Sequence, residues 1–364
     1  MKLYSNEIVF RGHPDKVCDQ ISDALLDEYL KGDKNSRCGI EVCGGKGKIF
    51  ITGEVTSKSK VNIEKVVKNV LKDVGYNTNY EIIDNLGVQS KDIALGTNDK
   101  VGGAGDQGMM YGFACDETIN YLPLSMIILQ TLSIKYDELR KKDNRFKSDG
   151  KAQITGYYDE DMRLYRIKTF TVSYQNTEEN RKETDKIIKN IILDICNYFD
   201  IKIEEFLINP TGRFEIGGFE GDSGLTGRKI LVDNYHSFSK VGGGAFSGKD
   251  PTKVDRSAAY KARKIAVRYL KEYHLKWCEV QISYAIGIRK PLAISITSNI
   301  GEINPSEKLY TECEPKNIIK DLKLLDKCYY DTAKFGHFIN WQYIIHMLVY
   351  WLRWLKWNMM QMII

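Results

Sequence analysis

IFITGEVTSKSKVNIEKVVKNVLKDVG, residues 49–75, holds a strand and a helix in succession. Residues 49–55 are an apolar, β-branched run that reads as a strand. From 61 to 74 the apolar residues recur at helical spacing, and Gly75 follows where a helix end favours a residue free to turn left-handed. The same order returns downstream. RLYRIKTFTVSY (163–174) alternates as a half-buried strand before an isoleucine-rich helix over 177–199. It returns again as a KILVD strand at 229–233, a glycine-rich loop, a helix over about 254–273 and strands around 277–286. Upstream, Val17, Ile21, Ala24, Leu25 and Tyr29 keep helical spacing over 14–30, with Pro14 suited to the first helical position. Strands and helices alternate throughout, so the expected fold class is mixed α/β (α+β), with three related layers and no repeat of fixed period.

Composition narrows the function. With 43% hydrophobic and 28% charged residues the chain reads as a globular protein, not a disordered one. Its 53 basic and 48 acidic side chains leave a net charge of +5, too small for a nucleic-acid footprint and better suited to a small polyanionic ligand. Eight cysteines without a CxxC pair show neither zinc spacing nor a compact disulfide framework. The start, MKLYSNEIVFRGHPDK, has no apolar signal-peptide core, so a cytoplasmic protein is expected.

Two glycine patterns are decoys. Gly103, Gly105 and Gly108 spell GxGxxG, but no strand signal precedes them and no acidic partner follows at the spacing of a dinucleotide site. Residues 243–249 spell GxxxxGK, yet Asp250 stands where a P-loop needs a hydroxyl. What survives is the physics of a glycine turn whose exposed N–H groups, beside Lys249, suit phosphate oxygens. Arg228 and Lys229 lie before that loop, Lys253 and Asp255 after it. Asp15 and Asp255 are apt magnesium ligands, since this hard ion takes a few carboxylates plus phosphate and water. Either alone serves equally as a helix-start charge. His13 sits beside Pro14, Asp15 and Lys16 in a polar constellation without apolar periodicity.

Five longer motifs occur in order: GHPDKVCDQISDALLD (12–27), GAGDQGMMYGFACDET (103–118), NPTGRFEIGG (209–218), GDSGLTGRKILVD (221–233) and GGGAFSGKDPTKVDRSAAYKARKIA (242–266). Together they closely resemble the methionine adenosyltransferase (S-adenosylmethionine synthetase) family, over about residues 5–338. The resemblance implies three similar α/β subdomains about a pseudo-threefold axis, here 3–90, 104–217 and 219–338, followed by a divergent apolar tail at 339–364. It implies a homodimer or dimer of dimers with active sites between subunits, the substrates ATP and L-methionine, and Mg²⁺ (two per site) and K⁺ as cofactors. Residue by residue, His13, Lys151, Arg228 and Lys249 resemble the catalytic set. ATP contacts fall on His13, Asp149, Lys151, Phe214, Arg228, Lys229, Lys249 and Lys253, with Asp149 and Phe214 at ribose and adenine. Glu54, Gln89, Asp106, Asp222 and Lys253 match methionine-binding positions. Asp15 and Asp255 match magnesium ligands, and Glu41 the potassium-associated carboxylate.

Two departures stand out. QSKDIALGTNDKVG (89–102) is shorter than the active-site loop usual in bacterial members. After residue 338 the chain continues INWQYIIHMLVYWLRW, tryptophan-rich and nearly uncharged, but too interrupted by charge to read as a membrane span. The rivals to an enzyme are a nucleotide-binding subunit that has lost turnover and a membrane-associated protein held by its tail; a rival enzyme is a phosphotransferase using the glycine loop.

Overall fold

The computed structural model describes residues 1–90 and 102–339. The apolar tail from residue 340 and residues 91–101 of the shortened loop lie outside that range.

Three four-stranded sheets organise the described residues. The first has the order β1 (Lys2–Val9), β6 (Phe146–Tyr158), β7 (Leu164–Asn176), β8 (Ile203–Ile208). The second has β4 (Glu81–Gly87), β3 (Lys48–Thr56), β2 (Arg37–Gly45), β9 (Gly224–Leu225). The third has β12 (Gly301–Glu302), β11 (Ala293–Ser298), β10 (Trp277–Tyr284), β5 (Gly108–Cys115). Each sheet takes one strand from another third of the chain, and the exchange runs in a cycle. β1 pairs with β6, placing Val9 opposite Lys151. β5 pairs with β10. The short β9 pairs with β2, with Gly224 opposite Gly44. Each of the stretches 3–90, 104–217 and 219–338 thus gives one strand to the sheet of another.

Helices cover one face of each sheet. α1 (Pro14–Gly32) and α2 (Ile63–Val74) bury Val17, Ile21, Leu25, Val67 and Leu71 against Ile40, Val42, Ile49 and Ile51 of the second sheet. Gly75 ends α2 at φ +91, as the sequence predicts. α3 (Leu124–Lys142) is buried at every position from Leu124 to Asp137, which suits a helix with apolar residues on several faces. It and α4 (Arg181–Tyr198) cover the first sheet. The predicted helix over 177–199 is thus helical from Arg181, after a 3-10 turn at Glu178–Asn180.

KILVD is not a strand. Ile230–Asp233 is a single helical turn, α5, closed by the Asp233 N–H donating to the Lys229 carbonyl at 2.9 Å. An extended run would point alternate side chains to opposite faces. The turn instead lets Lys229 reach Asp15 while Asp233 reaches buried Lys16 at 2.6 Å. These polar contacts override the β-propensity of Ile230, Leu231 and Val232.

α6 (Val254–Glu272) lies on β5 and β10, with Val254, Ala258, Ala262, Ile265 and Ala266 in the third core. Among the described residues the short helices α7 (Glu307–Glu312), α8 (Pro315–Asp321) and α9 (Tyr329–Phe335) follow. α9 is tied to α1 by Asp27, whose carboxylate accepts the Tyr329 and Tyr330 N–H groups at 2.8 Å each. The approach of α6 to β5 depends on Gly112, where a Cβ would stand 2.1 Å from the Ala262 carbonyl carbon. Backbone cannot yield as a side chain tip can. Gly112→Ala is therefore expected to lower unfolding stability by at least about 2 kcal/mol, read as a lower urea midpoint at unchanged slope. An unchanged midpoint would show that α6 does not rest on β5 this closely.

No helix among the described residues is long and apolar enough to cross a membrane. All eight cysteines are unpaired, with only Cys43 and Cys328 exposed.

Candidate active site

The first half of the site is built on the start of α1. His13 is the N-cap, and its Nδ1 accepts the Asp15 N–H at 3.2 Å. That bond assigns the proton of the neutral ring to Nε2, which makes the free edge a donor. Burial, then the charges of Lys229 and Lys151, push the imidazole down to about 3, against the weaker pull of Asp15 and Asp222. His13 is therefore neutral at physiological pH.

β9 crosses the helix start at Gly224, where a Cβ would lie 2.2 Å from the Pro14 carbonyl oxygen. The crossing lets the Leu225 N–H donate to Asp15 Oδ1 at 2.9 Å. Arg228 Nε lies 3.0 Å from the same oxygen, and the Lys229 ammonium donates to Oδ2. The Asp15 side chain is fully buried. Burial pushes its pKa up, but the Lys229 ammonium and the Leu225 N–H outweigh it and hold the group below the usual carboxylate range.

On β6, Lys151 is exposed and Asp149 buried. Asp149 Oδ2 accepts the Gly218 N–H at 2.8 Å. Burial raises its pKa to about 6, against the N–H groups of Gly218 and Gly150 and the charge of Lys151. Half-buried Phe214 precedes that segment, its carbonyl accepting the Asn176 N–H at 3.0 Å at the end of β7. Asp222, exposed, takes the next N–H in the chain, from Ser223, at 2.8 Å.

The second half gathers on the edge of the second sheet and the start of α6. Gly248 has φ +81, and a Cβ there would lie 2.0 Å from the Ile40 carbonyl oxygen. Only glycine lets the loop lie this close to β2. The Lys249 ammonium donates to Asp255 Oδ2 at 2.5 Å. Lys253 Nζ stands 3.7 Å from Glu54 Oε1, which also accepts from Gln89 Nε2 at 2.9 Å. Glu41 is half-buried on β2, where burial pushes its pKa up against the pull of Lys249. Asp106 is exposed in the turn into β5, accepting the Gln107 N–H at 2.8 Å, two residues before Gly108, whose added Cβ would lie 3.8 Å from Asp255 Oδ1. Asp250, the residue that spoils the P-loop pattern, is buried and caps the turn: it accepts the Cys38 N–H at 2.8 Å and the Thr252 hydroxyl at 2.6 Å.

The sequence-predicted residues thus form two groups. His13, Asp15, Asp149, Lys151, Phe214, Asp222, Arg228 and Lys229 lie around the start of α1 and the ends of β6 and β7. Glu41, Glu54, Gln89, Asp106, Lys249, Lys253 and Asp255 lie around β2, β3 and the start of α6. Among the described residues no hydrogen bond or ion pair joins one group to the other. Nor does any set of three or more His, Cys, Asp or Glu come close enough to hold a metal by itself. A cleft of about 490 Å³ lined by Tyr4, Phe113, Glu117, Phe238 and Trp277 contains none of these residues, so the site follows the charge chemistry and not that hollow.

Sequence reasoning missed the buried charges behind both groups. Lys16 pairs with Asp19 at 3.3 Å and Asp233 at 2.6 Å, and Arg256 pairs with Asp23. The available signal was the spacing of Asp15, Asp19 and Asp23, four apart along one face of α1.

Three family models match in chain order. S-adenosylmethionine synthetase N-terminal domain covers residues 1–94, the central domain 101–214 and the C-terminal domain 216–346. The chain is 41% identical to an S-adenosylmethionine synthase of Staphylococcus epidermidis, over 93% of this chain and 92% of that protein. It is 41% identical to one of Clostridium tetani, over 93% and 94%. It is 40% identical to one of Prochlorococcus marinus, over 92% of each. With three domains matched in order and relatives aligned almost end to end, the chain belongs to the S-adenosylmethionine synthetase family and is an enzyme of S-adenosylmethionine biosynthesis, a methionine adenosyltransferase.

Proposed function

We propose that the two groups of residues, brought together from two subunits, bind ATP and methionine and drive sulfur attack on the ribose C5′. The S–C5′ bond forms as the C5′–O bond breaks, the sulfur becomes a sulfonium, and triphosphate leaves with the electron pair. Water then cleaves triphosphate to phosphate and diphosphate. A thioether needs no general base, so the protein's work is alignment and stabilisation of charge on the leaving group.

The observation that carries this reading is the way the charges within each group are already matched. Asp15 is neutralised by Arg228 and Lys229, and Asp255 by Lys249. A metal–triphosphate offers both partners of each pair a replacement: phosphate oxygens for the cations and a cation for the carboxylates. The donor set fits a hard divalent ion held by one carboxylate at a time with phosphate and water completing the shell. Asp15 and Asp255 would hold Mg²⁺, two ions per site, and Glu41 would hold K⁺; when bound, these ions supply positive charge against the polyphosphate. His13 Nε2–H, Lys151, Arg228, Lys229, Lys249 and Lys253 donate to phosphate oxygens. Asp149 accepts from ribose hydroxyls and Phe214 stacks on adenine. Glu54, Gln89, Asp106 and Asp222, with Lys253, take the amino-acid end of methionine.

Assembly between subunits is tested by mixed dimers. A subunit carrying Lys229→Met loses the first group and one carrying Lys249→Met loses the second. Co-expressed as a heterodimer, they leave one site with both groups intact, so about half the parent activity is expected. If each site lies within one subunit, the heterodimer stays inactive.

Asp149 gives the reading a pH signature. A group of pKa about 6 loses its charge as pH falls from 7 to 5, and its ionised fraction drops about tenfold. The KM for ATP is expected to rise by about that factor in the parent relative to Asp149→Asn, a comparison that cancels the titration of ATP itself. Stability runs the other way: a carboxyl with a raised pKa stabilises the fold most below its ordinary range and loses that contribution as pH climbs through 6. Asp149→Asn should therefore raise the unfolding midpoint at pH 7 more than at pH 4. An identical pH dependence of KM in both proteins would remove Asp149 from the ATP site.

A further inference from the structure

We propose that the buried Asp23–Arg256 pair is a positioning device for Lys249, an inference that rests on Lys249 being a polyphosphate ligand. Both side chains have no exposure. Arg256 Nη2 donates to both Asp23 oxygens, at 2.8 and 2.6 Å. Asp23 Oδ1 also accepts the Gly248 N–H at 2.9 Å, and Arg256 Nη1 donates to the Lys249 carbonyl at 3.0 Å. One ion pair thus fixes the N–H of residue 248 and the C=O of residue 249, on either side of a single peptide link.

The loop is also bridged to β2 beyond Lys249, where the Asp250 N–H donates to the Cys38 carbonyl at 3.2 Å and Asp250 Oδ1 accepts the Cys38 N–H at 2.8 Å. Gly248 has no side chain with which to anchor itself, and its carbonyl accepts the Ile40 N–H at 3.1 Å. Lys249 is then held at both ends by the first turn of α6. Arg256 takes its carbonyl and the preceding residue, Asp255, takes its ammonium. The Arg256 guanidinium also lies 4.4 Å from the centre of the Tyr329 ring, which fixes its plane. An apolar pair of similar volume would fill this space without the desolvation that two buried charges incur. The ion pair adds a direction that an apolar pair lacks: a planar fork that reads a carboxylate on one side and a carbonyl on the other.

The other end of the connection is α1 itself. Asp15, which receives Arg228 and Lys229, and Asp23, which receives Gly248 and Arg256, lie eight residues apart, about 12 Å along one helix. One rigid element therefore sets the position of both cation-bearing loops of a protomer. A shift of about 1 Å in a phosphate-facing charge is enough to cost about 100-fold in rate.

The test is a cycle built on the full-length enzyme. Arg256→Met alone would strand a buried carboxylate, so Asp23→Asn and Arg256→Met are combined, removing both charges together. The combined variant is expected to melt cooperatively and bind methionine with a KM within about threefold of the parent, while kcat falls about 10-fold to 100-fold. In a Lys249→Met background the same two substitutions are expected to change kcat by less than about threefold, because they act through a side chain already gone. Should the combined variant not fold, Arg256→Lys replaces it in both backgrounds, since a single ammonium keeps the charge but cannot span Asp23 and the Lys249 carbonyl. A folded variant with parental kcat, or an equal loss in both backgrounds, would overturn the inference. A Lys249→Met enzyme of normal turnover would overturn the site reading and this inference with it, whereas a slow Lys249→Met enzyme beside a fully active pair variant overturns this inference alone.

Discussion

Lys249→Met is expected to fold as the parent does and to turn over at least about 100-fold more slowly. Its ammonium sits above the glycine turn with Asp255 as its ion-pair partner, and its side chain is 18% exposed. The backbone of the loop is held independently, by Asp23, Arg256 and Ile40. Substitution therefore removes a charge without removing the support beneath it. On the proposed chemistry, in which charge accumulates on the triphosphate only as the C5′–O bond breaks, the loss should appear in kcat. Steady-state kinetics on protein whose melting curve matches the parent's decides it, and near-normal kcat would take Lys249 out of the site.

The second large effect is expected at the carboxylates. Asp15→Asn and Asp255→Asn should each raise the magnesium concentration for half-maximal activity by at least about tenfold. The two variants differ in a useful way. At Asp15 the substitution leaves Arg228 and Lys229 converging on a neutral amide in a fully buried position. Stability should therefore fall as well at low ionic strength. At Asp255, whose side chain is 11% exposed and meets one lysine, the fold should hold. Magnesium titrations identical to the parent's in both variants would refute the assignment, whatever happened to stability.

Much of the framework that carries the candidate site was legible in the sequence because its elements are local. The strand–helix unit at 49–75, the helix from Pro14 and the glycine loop before Val254 each carry their signal within one short stretch of sequence. Pairings that close over long separations carry none. β1 meets β6 some 140 residues on, and β9 is a two-residue strand marked only by the glycine that lets it pass the helix start. KILVD has the composition of a strand, and only the partners of Lys229 and Asp233 explain why it turns. Asp19, Asp23, Lys16 and Arg256 look like surface charges in a list of residues, since charged side chains are seldom fully buried without partners. Lys16 and Asp19 meet within α1, but the partners that complete the set, Asp233, Arg256 and the Gly227 and Gly248 N–H groups, lie more than 200 residues on in the sequence, where no local pattern marks them. The division of the site into two groups was likewise invisible in a linear sequence.

This chain is expected to convert ATP and methionine to S-adenosylmethionine with cleavage of the triphosphate. The most direct test is the product balance of the purified protein given ATP, L-methionine, Mg²⁺ and K⁺. S-adenosylmethionine, phosphate and diphosphate are expected to accumulate in equal amounts, with none formed when methionine is replaced by an analogue lacking sulfur. Phosphate release without S-adenosylmethionine, or nucleotide binding without any product, would contradict the account.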